Sequence, residues 1–132
     1  MIGIDTNILV RFLIQDDPEQ CLLVDVFLQS LSVEEPGFIP LAVVIELVWV
    51  LQKVYRKPKD ETISSLESLL QAEAMVVESA HVVWQAVRAY ANSNSDFADC
   101  LIERSAAQAR CARTVTLDDK AAKTAGMTLL ES

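Results

Sequence analysis

Residues Met1-Ile2-Gly3-Ile4-Asp5-Thr6-Asn7-Ile8-Leu9-Val10 decide how this chain is read. An apolar run ends on a carboxylate, two short polar residues follow, and an apolar helical pattern starts at once. Residues 1–5 read as a short buried strand, and Asn7 to Ile14 as a helix with Ile8, Leu9, Phe12 and Leu13 on one face. Strand, acid and helix in direct succession open an α/β unit, and the chain repeats that alternation. Asp17-Pro18-Glu19-Gln20 supplies an N-cap, a proline at the first helical position and a glutamine in capping-box position, predicting a helix to about Leu31. Glu34-Glu35-Pro36-Gly37 is a turn, and Gly37-Phe38-Ile39 a second strand.

Pro40 or Leu41 opens the most apolar helix, which ends near Tyr55. Its apolar residues run almost all the way round, so burial on most sides is expected. Pro58 starts another helix, with Ile63, Leu66, Leu69 and Leu70 inward. Met75-Val76-Val77 is a third strand, and Ser79 is expected to cap a helix to about Ala91, packed through Val83, Val87 and Tyr90. Asn92 to Ser95 is a turn. A helix follows from about Asp96 to Arg110, and strands at Arg113–Leu117 and Met127–Leu130 enclose a short helix. The pattern predicts a single α/β domain over residues 1–132: a short parallel sheet with helices on both faces.

Composition narrows the function. The chain of 132 residues is 52% hydrophobic, with few glycines and prolines, which suits a packed core. Its longest apolar stretch, Phe38 to Leu51, is too short to span a bilayer, and the N-terminus lacks the pattern of a signal peptide, so a soluble cytoplasmic protein is expected. Cys21, Cys100 and Cys111 are odd in number and form no CxxC pair, as reduced thiols would be. His81 is the sole histidine and reads as a surface or helix-start residue. A formal charge of −8 argues against broad electrostatic attachment to nucleic acid. It leaves room for a nucleic-acid substrate where divalent ions neutralise the acids or basic residues cluster. Lys53, Arg56, Lys57 and Lys59 are close in sequence, with a looser group at Arg104, Arg110 and Arg113; both also suit solvated helix ends.

Five carboxylates stand out. Asp5 ends the first strand, Glu46 interrupts an apolar run, Asp96 and Asp99 open a helix three residues apart, and Asp118 ends the strand Thr114-Val115-Thr116-Leu117. Isolated buried carboxylates are costly without a cation or donors, and Glu46, amid apolar neighbours, is the hardest to place without one. Ligands of parallel sheets bind at the carboxyl ends of strands, which predicts that these acids converge there. Clustered oxygen ligands suit Mg2+ or Mn2+, which can lower the pKa of a bound water for attack on phosphorus. Gly3, Gly37 and Gly126 are isolated and form no phosphate loop, so phosphodiester hydrolysis fits better than transfer from a nucleotide. Each acid also has a plainer role: Asp5 as a turn residue, Asp96 as a helix start, and Asp118 or its neighbour Asp119 as a cap. Thr6, Asn7 and Thr116 can orient ligands, contact phosphate or cap turns.

Taken together, Ile2-Gly3-Ile4-Asp5-Thr6-Asn7-Ile8-Leu9-Val10, Glu46 in Val43-Val44-Ile45-Glu46-Leu47, Asp96-Phe97-Ala98-Asp99-Cys100-Leu101-Ile102 and Thr116-Leu117-Asp118 resemble, in order, the motifs of PIN-domain ribonucleases. The resemblance covers essentially the whole chain and is closest to small VapC-type toxins of toxin–antitoxin pairs. It implies a PIN-like three-layer fold and a Mg2+- or Mn2+-dependent endoribonuclease, usually a homodimer silenced by a cognate antitoxin. By position it makes Asp5 and Asp99 the principal metal ligands, with Glu46 and Asp118 completing the acidic site and Asp96 accessory. Glu103-Arg104 and Asp119-Lys120 depart from the family pattern and bear on packing and substrate contacts. An antitoxin arginine entering the acids in competition with metal would explain silencing. Dimerisation would suit Leu22, Leu23, Val26 and Phe27, which also suit a core.

Two other readings stay in view. A catalytically silent PIN-like module would bind RNA or a partner without cutting. A receiver-like phospho-acceptor would want an acidic pair after the first strand and a lysine after the last; Asp5 is single, and Lys120 is displaced.

Overall fold

The computed structural model describes residues 1–131. Strand β1 (Ile2–Gly3), β2 (Gly37–Ile39) and β3 (Met75–Val77) form a parallel sheet in the order β1-β2-β3. In the central strand, Gly37 faces Ile2 on one side and Met75 on the other. A Cβ at Gly37 would come within 2.9 Å of the Met75 Sδ and 3.1 Å of both Ile4 and Leu31, so only glycine lets these elements close. The chain divides into two compact units, Met1–Ala80 and His81–Ser132.

In the first unit, β1 leads into α1 (Thr6–Leu13), followed by α2 (Pro18–Gln29), which starts where the sequence predicts. Asp17 caps α2, accepting from the Gln20 amide at 3.2 Å, with Pro18 in the first turn. α1 buries Thr6, Leu9 and Val10. Phe12, expected inward, is exposed, because the inward stripe begins at Thr6 rather than at Ile8. Of α2, only Cys21 and Val24 are buried. Leu22, Leu23 and Val26 are 66, 73 and 60% exposed, so they are not core.

The apolar helix α3 (Leu41–Trp49) corrects the expectation of burial on most sides. Val43, Val44, Leu47 and Val48 are buried, while Ala42, Ile45, Glu46 and Trp49 are exposed. Those spacings are two faces of one helix, and apolar composition alone did not separate them. Beyond Trp49 the helix does not continue as α: Val50–Val54 form a π segment, closed by Tyr55 N donating to Val50 O at 3.2 Å. Arg56 follows at φ 52, in the left-handed region, and Pro58 prevents continuation. α4 (Lys59–Gln71) then packs on β3 through a face that includes Leu66 and Leu69.

The second unit holds α5 (Ala80–Ala91, its first residue closing the first unit), α6 (Phe97–Gln108), β4 (Val115–Thr116), α7 (Asp119–Thr124) and β5 (Thr128–Leu129). Val83, Val87 and Tyr90 are buried as expected, and the Tyr90 and Phe97 rings meet edge to face at 5.8 Å, joining α5 to α6. Ser79, expected to cap α5, lies in the left-handed region at φ 50, whereas a capping serine typically takes an extended backbone. β4 and β5 pair in parallel as a separate two-stranded sheet. The mixed α/β architecture and parallel pairing follow the alternation read in the sequence.

Candidate active site

Asp5 lies two residues beyond β1 and is the N-cap of α1. Its backbone is extended (φ −80, ψ 159), and its Oδ1 accepts from the Thr6 amide at 2.7 Å. Capping uses one oxygen and leaves Oδ2 available. Thr6 is buried, 5% exposed, and its Oγ1 has no hydrogen-bond partner among the described residues. An orphaned buried hydroxyl is uncommon, since desolvation without a partner costs about 1–3 kcal/mol. Asp5, Thr6 and Asn7 line a cavity of roughly 330 Å3 together with Glu46, Arg11 and Tyr55.

Glu46 is exposed rather than buried, so the expectation that it needs a cation to survive in the core is overturned. It lies on the solvent-facing stripe of α3, where a carboxylate is hydrated at little cost. What the structure supplies instead is its place on the cavity wall with Asp5.

Arg11 and Tyr55 were not picked out in the sequence. The Arg11 Nη2 donates to the Tyr55 hydroxyl at 2.7 Å, and its Nη1 pairs with Asp16. The only local signal was that Arg11 lies one helical turn after Asn7. The partner lies 44 positions away, directly after a π segment that no residue pattern announced.

In the second unit, Asp96 occupies the N-cap position of α6, but its side chain makes no capping bond. It meets the Lys120 Nζ at 3.4 Å in an exposed pair that contributes little to stability. Asp99, in the first turn of α6, is partly buried. Burial first, then repulsion from Asp96 and Asp118, pushes its carboxyl above the ordinary range, with Lys120 opposing. Asp118 is the N-cap of α7: its Oδ1 accepts from the amides of Lys120 at 2.9 Å and Ala121 at 3.4 Å. The sequence left open which of Asp118 and Asp119 caps this helix. Asp118 does, while Asp119 pairs with Lys123 at 2.9 Å. The Thr116 Oγ1 accepts from the Asp118 amide at 3.0 Å, so Thr116 holds the turn that presents Asp118.

The cost of burial that drew attention to the five acids therefore applies to one of them: Asp5, Glu46, Asp96 and Asp118 are exposed, and Asp99 is partly covered. Among the described residues, no three His, Cys, Asp or Glu side chains stand so as to hold a metal ion. The donor chemistry nonetheless suits a hard cation: the ligands are all oxygen, and the repulsion on Asp99 is of the kind a cation relieves. Glu103 and Arg104, a departure from the family pattern, satisfy each other through Nε–Oε1 and Nη2–Oε2 contacts of 2.7 and 2.8 Å.

An acid capping the helix after the first strand, an acid on α3, two opening α6 and one after β4 is the order in which the PIN motifs run. The PIN domain family model matches residues 2–127. The chain belongs to the PIN domain family. The match takes in every residue of the acidic set and runs through both units of this PIN domain. Among curated proteins, the PIN domain is similar to "VapC ribonuclease" of Aquifex aeolicus (strain VF5). The two are 30% identical over 99 residues, 74% of this chain and 73% of the relative. Among the described residues, no helix of this PIN domain is long and apolar enough to cross a membrane.

Proposed function

We propose that this PIN domain is a metal-dependent endoribonuclease that hydrolyses RNA phosphodiester bonds, and that it is the toxin of a toxin–antitoxin pair. The reading is carried by the crowding of Asp96 and Asp118 around Asp99 in a chain similar to a VapC ribonuclease. Mg2+ or Mn2+ would be held principally by Asp5 and Asp99, with Asp96 and Asp118 as further oxygen donors and Glu46 completing the acidic set. Bound there, the ion supplies a lowered water pKa and charge stabilisation at phosphorus.

The chain's own contribution is preorganisation. Asp5 and Asp118 are fixed as helix caps through one oxygen each, which limits their rotamers and leaves the second oxygen available. Thr6 keeps a desolvated hydroxyl beside Asp5, and Thr116 holds the turn of Asp118.

Cleavage of structured RNAs by the purified protein, with Mg2+ or Mn2+ and with chelator, tests the reading. Cutting that needs the ion and disappears in Asp5→Asn and Asp99→Asn is the expected result. RNA binding without cutting under every metal condition would favour the silent module. Silencing is proposed to occur through a partner arginine entering the acids. A metal titration with the partner present should then show lost binding, and unchanged metal affinity would count against it. The exposed Leu22, Leu23 and Val26 are the proposed contact of a homodimer; light scattering of Leu23→Glu should show a smaller species than the parent chain.

A further inference from the structure

We propose that Arg11, held by Tyr55 at the end of the π segment, is a phosphate-binding residue for the RNA backbone. The inference rests on the ribonuclease reading and assigns the cation that the acidic cavity needs. Bringing RNA to Asp5 and Glu46 sets phosphate against carboxylate in a chain of charge −8. Arg11 is a permanent cation on the wall of that same cavity.

Its placement is built rather than incidental. The Arg11 side chain is 19% exposed, so it is held against the protein, not extended into solvent. Of its five N–H donors, the structure engages one with Asp16 and one with the Tyr55 hydroxyl, leaving the others for an incoming oxygen pair. Asp16 is 50% exposed, so solvent screens its hold on the guanidinium. Tyr55, which meets Arg11, closes the π segment Val50–Val54, a local distortion that recurs at functional sites. The Thr6 Oγ1, buried on the same cavity wall without a partner, is a second group suited to an oxygen ligand. A purely structural bond between α1 and the π segment is the competing explanation. It predicts loss of stability without loss of phosphate recognition.

The experiment measures cleavage kinetics and, separately, fluorescence anisotropy of a single-stranded oligoribonucleotide across a KCl series. The parent chain is compared with Arg11→Ala, Arg11→Lys and Tyr55→Phe. Arg11→Ala should raise KM and Kd about tenfold, as loss of a charged hydrogen bond does, and should lower the slope of log affinity against log salt by about 0.7. Arg11→Lys should restore the slope and part of the affinity, and Tyr55→Phe should weaken binding with the slope kept. An unchanged KM and slope in a folded Arg11→Ala would overturn the proposal. So would a fall in melting temperature with RNA affinity intact, or a change confined to the affinity of a protein partner. If the parent chain cuts no RNA, the ribonuclease reading fails, and anisotropy still decides on Arg11.

Discussion

The two units handle negative charge in opposite ways. In the first, Asp5 and Glu46 line a solvated cavity with a guanidinium on its wall. In the second, Asp99 is partly buried beside two like charges, with the ammonium of Lys120 opposing them. The first arrangement is settled as folded and suits holding an anionic chain. The second carries repulsion that Lys120 offsets only in part, of the kind a bound divalent cation would relieve. Both sets of acids occupy PIN motif positions, so position in the motif does not by itself determine electrostatic state.

The largest effects should come from removing charge while keeping shape. Asp118→Asn preserves the cap of α7, because asparagine caps as well as aspartate, so stability should change little while cleavage falls by orders of magnitude. Asp118→Ala should lose cleavage and also about 1 kcal/mol in a denaturant titration. Equal activity in the Asn variant and the parent chain would reduce Asp118 to a cap.

A medium effect is expected at Asp99. Its folded-state pKa lies above the ordinary carboxylate value, so the folded chain keeps this proton at pH values where the unfolded chain has lost it. The resulting destabilisation is absent below the ordinary range and complete once pH passes the raised value; stability from this group therefore falls as pH rises through that window. Asp99→Asn should melt higher than the parent chain in metal-free neutral buffer. The gain should vanish near about pH 3, below the ordinary aspartate value. A gain independent of pH would point to packing instead of charge.

Thr6→Val tests the first unit. Replacing an orphaned buried hydroxyl by a methyl of similar shape should leave stability unchanged or slightly raised, yet weaken cleavage or metal binding. Lys120→Ala should have the smallest effect, within a few tenths of a kcal/mol in stability, because its pair with Asp96 is exposed.

The contrast also marks how much could be read in advance. The cap of α2, the strands Gly37–Ile39 and Met75–Val77, and the parallel pairing were legible because caps, turns and apolar runs are local signals. The face of α1 and the exposure of Glu46 were not, since a run of apolar residues does not say which side meets a neighbour. The π segment was equally hidden, and with it the contact between Arg11 and Tyr55.

By itself, the sequence determined the order in which its acidic motifs come and the family to which the chain belongs, because a motif is a property of neighbouring residues. Only the tertiary structure decided that Asp118 and not Asp119 caps its helix, that Asp99 is pushed above its ordinary range, and that an arginine shares the cavity of Asp5 and Glu46. Solvation and charge proximity act between residues distant in the chain, and folding sets those distances.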